Sequence, residues 1–69
     1  MKIKELELGQ EVFINGYKYA YMGVNKVRFS GYSTQMIVFE NRELNLKKNF
    51  DLKVGNSELK EINGELHLK

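Results

Sequence analysis

The chain has no cysteine, no proline and no tryptophan, and only one histidine in 69 residues. Without cysteine there is neither a disulfide staple nor a thiolate metal site, and His67 alone cannot complete a zinc sphere. A hydrolase needs an oriented base beside its nucleophile, and His67 stands two residues from the end, where strand register sets it against Lys60 on the solvent side. Glu40 and Glu43 flank a turn, and Glu5 and Glu7 fall on a short N-terminal strand, so neither pair has the apolar pocket that acid–base work requires. The six glycines are spread along the chain as turn punctuation and form no phosphate-binding loop. These absences exclude the common enzyme classes. The expectation is a protein that is not an enzyme, with no cofactor and no metal.

Two longer patterns are also missing. No apolar period of 3.6 residues persists for three turns, so a helix of ordinary length has no support. No continuous apolar run exists either: the opening MKIKELELGQ mixes charge with leucine and cannot serve as a secretory or membrane-spanning segment, which leads to an expected cytoplasmic location. The length allows one domain, residues 1–69, near the size at which burial barely offsets chain entropy. Lysine outnumbers arginine nine to two and asparagine occurs seven times, a composition that suggests an AT-rich genome such as that of a low-GC bacterium or its phage.

What the chain does have is alternation broken by turn pairs: Asn15-Gly16, Asn41-Arg42, Gly55-Asn56 and Asn63-Gly64. Asn-Gly favours a type I′ hairpin because both central residues need positive φ. A two-residue loop fixes register, and register predicts which side chains share a face. Closing at Asn15-Gly16 pairs Ile14 with Tyr17 and Val12 with Tyr19, making these tyrosines core or rim; Tyr21 is left open, because a bulge at Gly23 would reverse its direction. Closing at Asn41-Arg42 sets Phe39 against Leu44, Ile37 against Leu46 and Met36 against Lys47. Closing at Gly55-Asn56 sets Leu52 against Leu59, and Asn63-Gly64 sets Glu61 against Leu66. Leu44 through Val54 then reads as one long strand bent near Lys48-Asn49. A further hairpin around Val24-Asn25 would place Ala20 opposite Phe29, with Phe29 to Gln35 as a longer loop. Either both faces are covered in this region, or a bulge at Gly23 or Gly31 corrects the parity.

The expected fold is all-β: five to seven short antiparallel strands in a meander, curled into a small, partly open barrel. Its predicted core is Leu6, Leu8, Val12, Ile14, Tyr19, Ile37, Phe39, Leu44, Leu46, Phe50, Leu52, Val54, Leu59, Leu66 and Leu68. The segment LELGQEVFINGYKYAYMGV, Leu6 to Val24, with its Gly9 turn, short strand, Asn-Gly turn and second strand ending at Gly23, resembles SH3-like small barrels. Tudor and KOW-type domains are similar in plan and bind peptides, methylated side chains or nucleic acid. The resemblance covers about the first forty residues and is one of fold alone; the tryptophan and acidic loop of peptide-binding SH3 domains are missing. An OB-fold is the nearest rival, but it usually needs more residues and a helix between its third and fourth strands.

Two binding functions fit these features. The formal net charge is only +2, yet residues 18–49 carry six basic side chains against two acidic ones. Lys18, Lys26, Arg28 and Lys47 near Phe13, Tyr21 and Tyr32 would combine phosphate attraction with stacking surface for nucleic acid. Against that stands lysine's common use in keeping strand edges from pairing. The favoured expectation is protein–protein interaction, by a homo-oligomer or by a regulatory or inhibitory protein of phage or mobile-element origin, through an apolar and basic stripe on the outer side of the 36–47 hairpin. The residues singled out for binding are Phe13, Lys18, Arg28, Tyr32, Met36 and Lys47.

Overall fold

Asn15 and Gly16 take φ of 52° and 85°, and Asn63 and Gly64 take 52° and 80°, so both Asn-Gly pairs close two-residue hairpins. In the computed structural model, which describes residues 1–68, the first joins β1 (Glu11–Ile14) to β2 (Tyr17–Phe29) and pairs Val12 with Tyr19. The second joins β5 (Lys60–Ile62) to β6 (Glu65–Leu68), with Glu61 opposite Leu66 and Lys60 opposite His67. Between them run β3 (Tyr32–Asn41) and β4 (Leu46–Phe50). The six strands form one open sheet in the order β4-β3-β2-β1-β6-β5. It is all-β as expected, but it is neither a closed barrel nor a plain meander, because β6 returns to lie parallel to β1, with Phe13 beside His67.

Three turn expectations are corrected. The Asn41-Arg42 reversal is a four-residue loop, 42–45, in which Asn41 Oδ1 accepts the Leu44 N–H at 2.9 Å and Asn45 supplies the positive φ of 55°. Phe39 therefore faces Lys48 and Ile37 faces Phe50, while Lys47 faces Glu40 instead of Met36. The shift is by an even number of residues, so Leu46 and Phe50 still point to the core. Gly55-Asn56 makes no hairpin. Residues Leu52–Asn56 coil into a 3₁₀ turn, with Val54 N–H donating to Asp51 O and Ser57 N–H to Val54 O. Gly55 is buried there without a positive φ, and a Cβ would lie at ordinary contact distance, 3.4 Å, from Ile37 Cδ1 and from Lys4 Cβ. Nor is there a reversal at Val24-Asn25. β2 runs on for 13 residues and turns at Ser30-Gly31, with Phe29 opposite Tyr32, so the expected long loop is a tight turn followed by strand.

The core lies on one face of the sheet. Ile3, Leu6, Val12, Ile14, Tyr19, Tyr21, Ile37, Phe39 and Leu59 form its buried cluster, with Leu46, Phe50, Val54, Leu66 and Leu68 packed against it. Phe39 is its centre, with ring centroids 5.5 Å from Tyr21 and 5.8 Å from Phe50. Leu8, Leu44 and Leu52 are exposed, against expectation: Leu44 lies in the widened loop, Leu52 on the 3₁₀ turn and Leu8 in a surface turn before β1. Ile3 was missed because residues Ile3–Glu5 make a 3₁₀ turn rather than a strand. That turn is held where the Ile3 N–H donates to Ser57 O and the Leu59 N–H to Met1 O, tying the N-terminal segment to residues 57–59 over the core.

Candidate functional site

The length of β2 creates the most distinctive surface. β1 matches β2 only as far as Ala20, and β4 matches β3 only as far as Ile37, so residues 24–36 form a two-stranded arm paired, among the described residues, to nothing but itself. The molecule is correspondingly elongated, 42 × 27 × 19 Å. A bulge at the arm's base sets its direction. Tyr21 pairs with Phe39 and Val24 with Ile37, so Met22 and Gly23 together oppose Val38. Gly23 takes φ of 81°, and Leu8 lies so close that a Cβ there would meet its Cδ2 at 2.8 Å. Asn25 bridges the bulge by donating from Nδ2 to Met22 O at 2.9 Å.

The extra residue reverses the alternation of β2. Before it, Tyr19 and Tyr21 face the core; after it, Val24, Lys26 and Arg28 take the Ile37 face, while Asn25, Val27 and Phe29 take the other. This answers the question left at Tyr21, which is buried. At the tip Phe29 and Tyr32 stack with centroids 5.2 Å apart and planes at 22°. Val24, Phe29 and Tyr32 are 49, 37 and 62% exposed. No acidic residue occurs between Glu11 and Glu40, and the nine basic residues other than Lys26 and Arg28 balance the nine acidic ones. The chain's whole formal net charge therefore rests on the arm.

The residues singled out from sequence separate into two groups. Arg28, Tyr32 and Met36 lie on the arm, and Lys47 lines an open concavity at its base with Met22, Val27 and Val38. Val38 is buried there, on the side of the sheet away from the main core. Phe13 and Lys18 lie apart from these, paired on β1 and β2. Lys18 Nζ stands 6.0 Å from the Phe13 ring centroid and 3.8 Å from Glu11 Oε2. On its other side Phe13 stacks on His67 at 5.0 Å and 17°. His67 does face Lys60, but it is half-buried rather than a free surface residue, and its Nε2 makes no hydrogen bond among the described residues. The nearest carboxylate oxygen, Glu65 Oε1, is 3.9 Å away.

Sequence reasoning passed over Val24, Val27 and Phe29 as parts of the surface. The signal that marks them is the acid-free run from Val12 to Phe39, interrupted by a single glycine-centred change of parity. Among the described residues no group of three or more His, Cys, Asp or Glu side chains is placed to hold a metal ion. What the arm offers chemically is apolar and aromatic area, two cations and unpaired strand edges. No family model matches this chain, and no curated protein or solved structure matches it either, so its function has to be read from these residues themselves.

Proposed function

We propose that this chain is a non-enzymatic binding module that engages another protein through the β2–β3 arm. The observation that carries the reading is the exposure of Val24, Phe29 and Tyr32 on a ribbon that no other element among the described residues covers. An isolated two-stranded ribbon is marginal in water, and burying apolar surface contributes about 25 cal/mol per Å². A partner that covers the arm thus gains contact area and steadies the arm together. The SH3-like, partly open barrel belongs to this proposal. Its support is the curl that brings Leu46 and Phe50 of β4 and Leu66 and Leu68 of β6 onto one core. A regulatory or inhibitory role, phage or mobile-element origin and a cytoplasmic site of action belong to it too. No helix among the described residues is long and apolar enough to cross a membrane.

Photo-cross-linking in host cells tests the reading, with the reactive residue at Tyr32 and, as control, at exposed Ile62 on the far edge of the sheet. Discrete protein adducts from position 32 and not from 62 are expected. Adducts from 62 alone would place the contact elsewhere.

A second reading, nucleic-acid binding, is favoured by one feature, the concentration of net charge on the arm. If Lys26, Arg28 and Lys47 meet phosphates, log K should fall against log salt with a slope of about −2 to −3. No measurable binding to duplex or single-stranded oligonucleotides at low salt would end this reading.

A further inference from the structure

Among the described residues, strand edges lie open at β4, at β5, on β2 beyond Tyr21 and on β3 before Ile37. An open edge is a template for another chain unless charge, proline or a bulge guards it. β4 carries Lys47 and Lys48, β5 carries Lys60 and Glu61, and the free edge of β2 carries Lys26 and Arg28. The fourth edge, residues 32–36, reads Tyr-Ser-Thr-Gln-Met and carries no charge, proline or bulge; the 3₁₀ turn Leu52–Asn56 packs against β3 only at its Ile37 end.

The backbone groups on that edge can be assigned. Phe29 and Tyr32 flank a two-residue turn, and in such hairpins the flanking pair exchanges both backbone hydrogen bonds. Alternation then turns the N–H and C=O of Thr34 and Met36 inward to β2 and those of Ser33 and Gln35 outward. Ile37, the next outward residue, is taken by Phe50 of β4. Ser33 and Gln35 have no strand beside them.

We propose that residues 33–35 of two copies of this chain pair edge to edge about a twofold axis at Thr34, joining two arms into one four-stranded ribbon. The inference rests on the protein-binding reading above and names the partner as a second copy. Antiparallel pairing centred on Thr34 places Ser33 against Gln35 of the second copy in the hydrogen-bonded register, twice, which satisfies every outward group of the segment. Thr34 meets Thr34, a favourable cross-strand pair, while Tyr32 of the second copy turns away from Met36, because Phe50 fills the place beside Ile37. The cations do not oppose the contact. Lys26 and Arg28 lie on β2, so those of the two copies are separated by three strand spacings, about 14 Å, beyond the screening length of about 8 Å at physiological salt. The ladder is short and buries less than the roughly 1,200 Å² of a stable interface, so the association is weak and depends on concentration.

Sedimentation equilibrium of the purified protein from about 10 µM to about 1 mM should show the mass rising from 8.1 kDa toward twice that value. Amide exchange at Ser33 and Gln35 should slow over the same range, with Thr34 unchanged. Thr34→Lys and Thr34→Glu each place like charges face to face on the axis and should weaken association by about tenfold or more, while an equimolar mixture of the two restores it. Circular dichroism checks that both variants stay folded. A mass of 8.1 kDa at the highest concentration overturns the self-pairing. So does association of Thr34→Lys equal to that of the wild type. A monomer that still forms adducts from position 32 with a different protein overturns the self-pairing alone, whereas a monomer that forms none overturns the protein-binding reading with it.

Discussion

Replacing Gly23 by alanine tests the bulge that aims the arm. Two separate costs act there. Placing a Cβ at φ of 81° costs an L-residue about 1–2 kcal/mol, whatever space surrounds it. The same Cβ would also stand 2.8 Å from Leu8 Cδ2. Leu8 is 77% exposed, so its end can swing into solvent and the clash adds only a few tenths. The expected loss for Gly23→Ala is therefore about 1–2 kcal/mol, out of a total stability of roughly 3–10 kcal/mol for a domain of this size. In a thermal melt that is a drop of about 5–15 °C. Leu8→Ala alone should change little. The double variant separates the terms: relief of the clash recovers the few tenths, and the backbone cost stays. Urea denaturation of the four proteins measures the cycle, and amide shifts of residues 24–36 report whether the arm has moved. If Gly23→Ala is neutral within about 0.5 kcal/mol and the arm shifts are unchanged, Gly23 is not at positive φ and the reversal of parity assigned to it is wrong.

Phe39→Ala empties the centre of the core beside Tyr21 and Phe50, and should cost about 3–5 kcal/mol in urea denaturation, enough to leave much of the chain unfolded. Asn41→Ala removes both the bond from Nδ2 to Lys18 O at 2.7 Å and the acceptance of the Leu44 N–H; a loss of about 1–2 kcal/mol is expected, with amide shifts confined to residues 42–45 and the neighbouring turn. Gly55→Ala should be tolerated in a thermal melt, because its Cβ would make ordinary contacts at 3.4 Å, whereas Gly55→Val overpacks against Ile37 and should cost about 1–3 kcal/mol.

Turn chemistry and parity made much of this fold legible. Asn15-Gly16 and Asn63-Gly64 declare themselves locally, because few other pairs tolerate two successive positive φ angles. The face assignment of Leu46 and Phe50 survived a wrong loop length, since a slip by an even number of residues keeps every side chain on its side. Gly55-Asn56 misled for a physical reason. A glycine beside an asparagine marks a hairpin only where the backbone takes positive φ, and neither Gly55 nor Asn56 does. The parallel pairing of β1 with β6 was beyond reach, because a contact between residues 13 and 67 leaves no local signature in either strand.

The arm was hidden by the same ambiguity at Asn25. Asparagine after valine reads as a turn former, and a hairpin there would have folded Phe29 back over Ala20. In the structure Asn25 turns its amide to Met22 O instead, and by bracing the bulge it lets β2 continue outward to Ser30-Gly31. One residue type thus either reverses a strand or braces its continuation, and the choice depends on whether Gly23 absorbs the extra residue. The binding residues named from sequence inherit that choice. Arg28 and Tyr32 come to lie on a projecting ribbon because β2 does not turn at Asn25, while Phe13 and Lys18, fixed by the unambiguous Asn15-Gly16 turn, stay behind on the body of the sheet. The function proposed here therefore depends on the bulge at Met22-Gly23 more than on any single exposed side chain. Without it β2 has no cause to carry an aromatic pair and two cations away from the core.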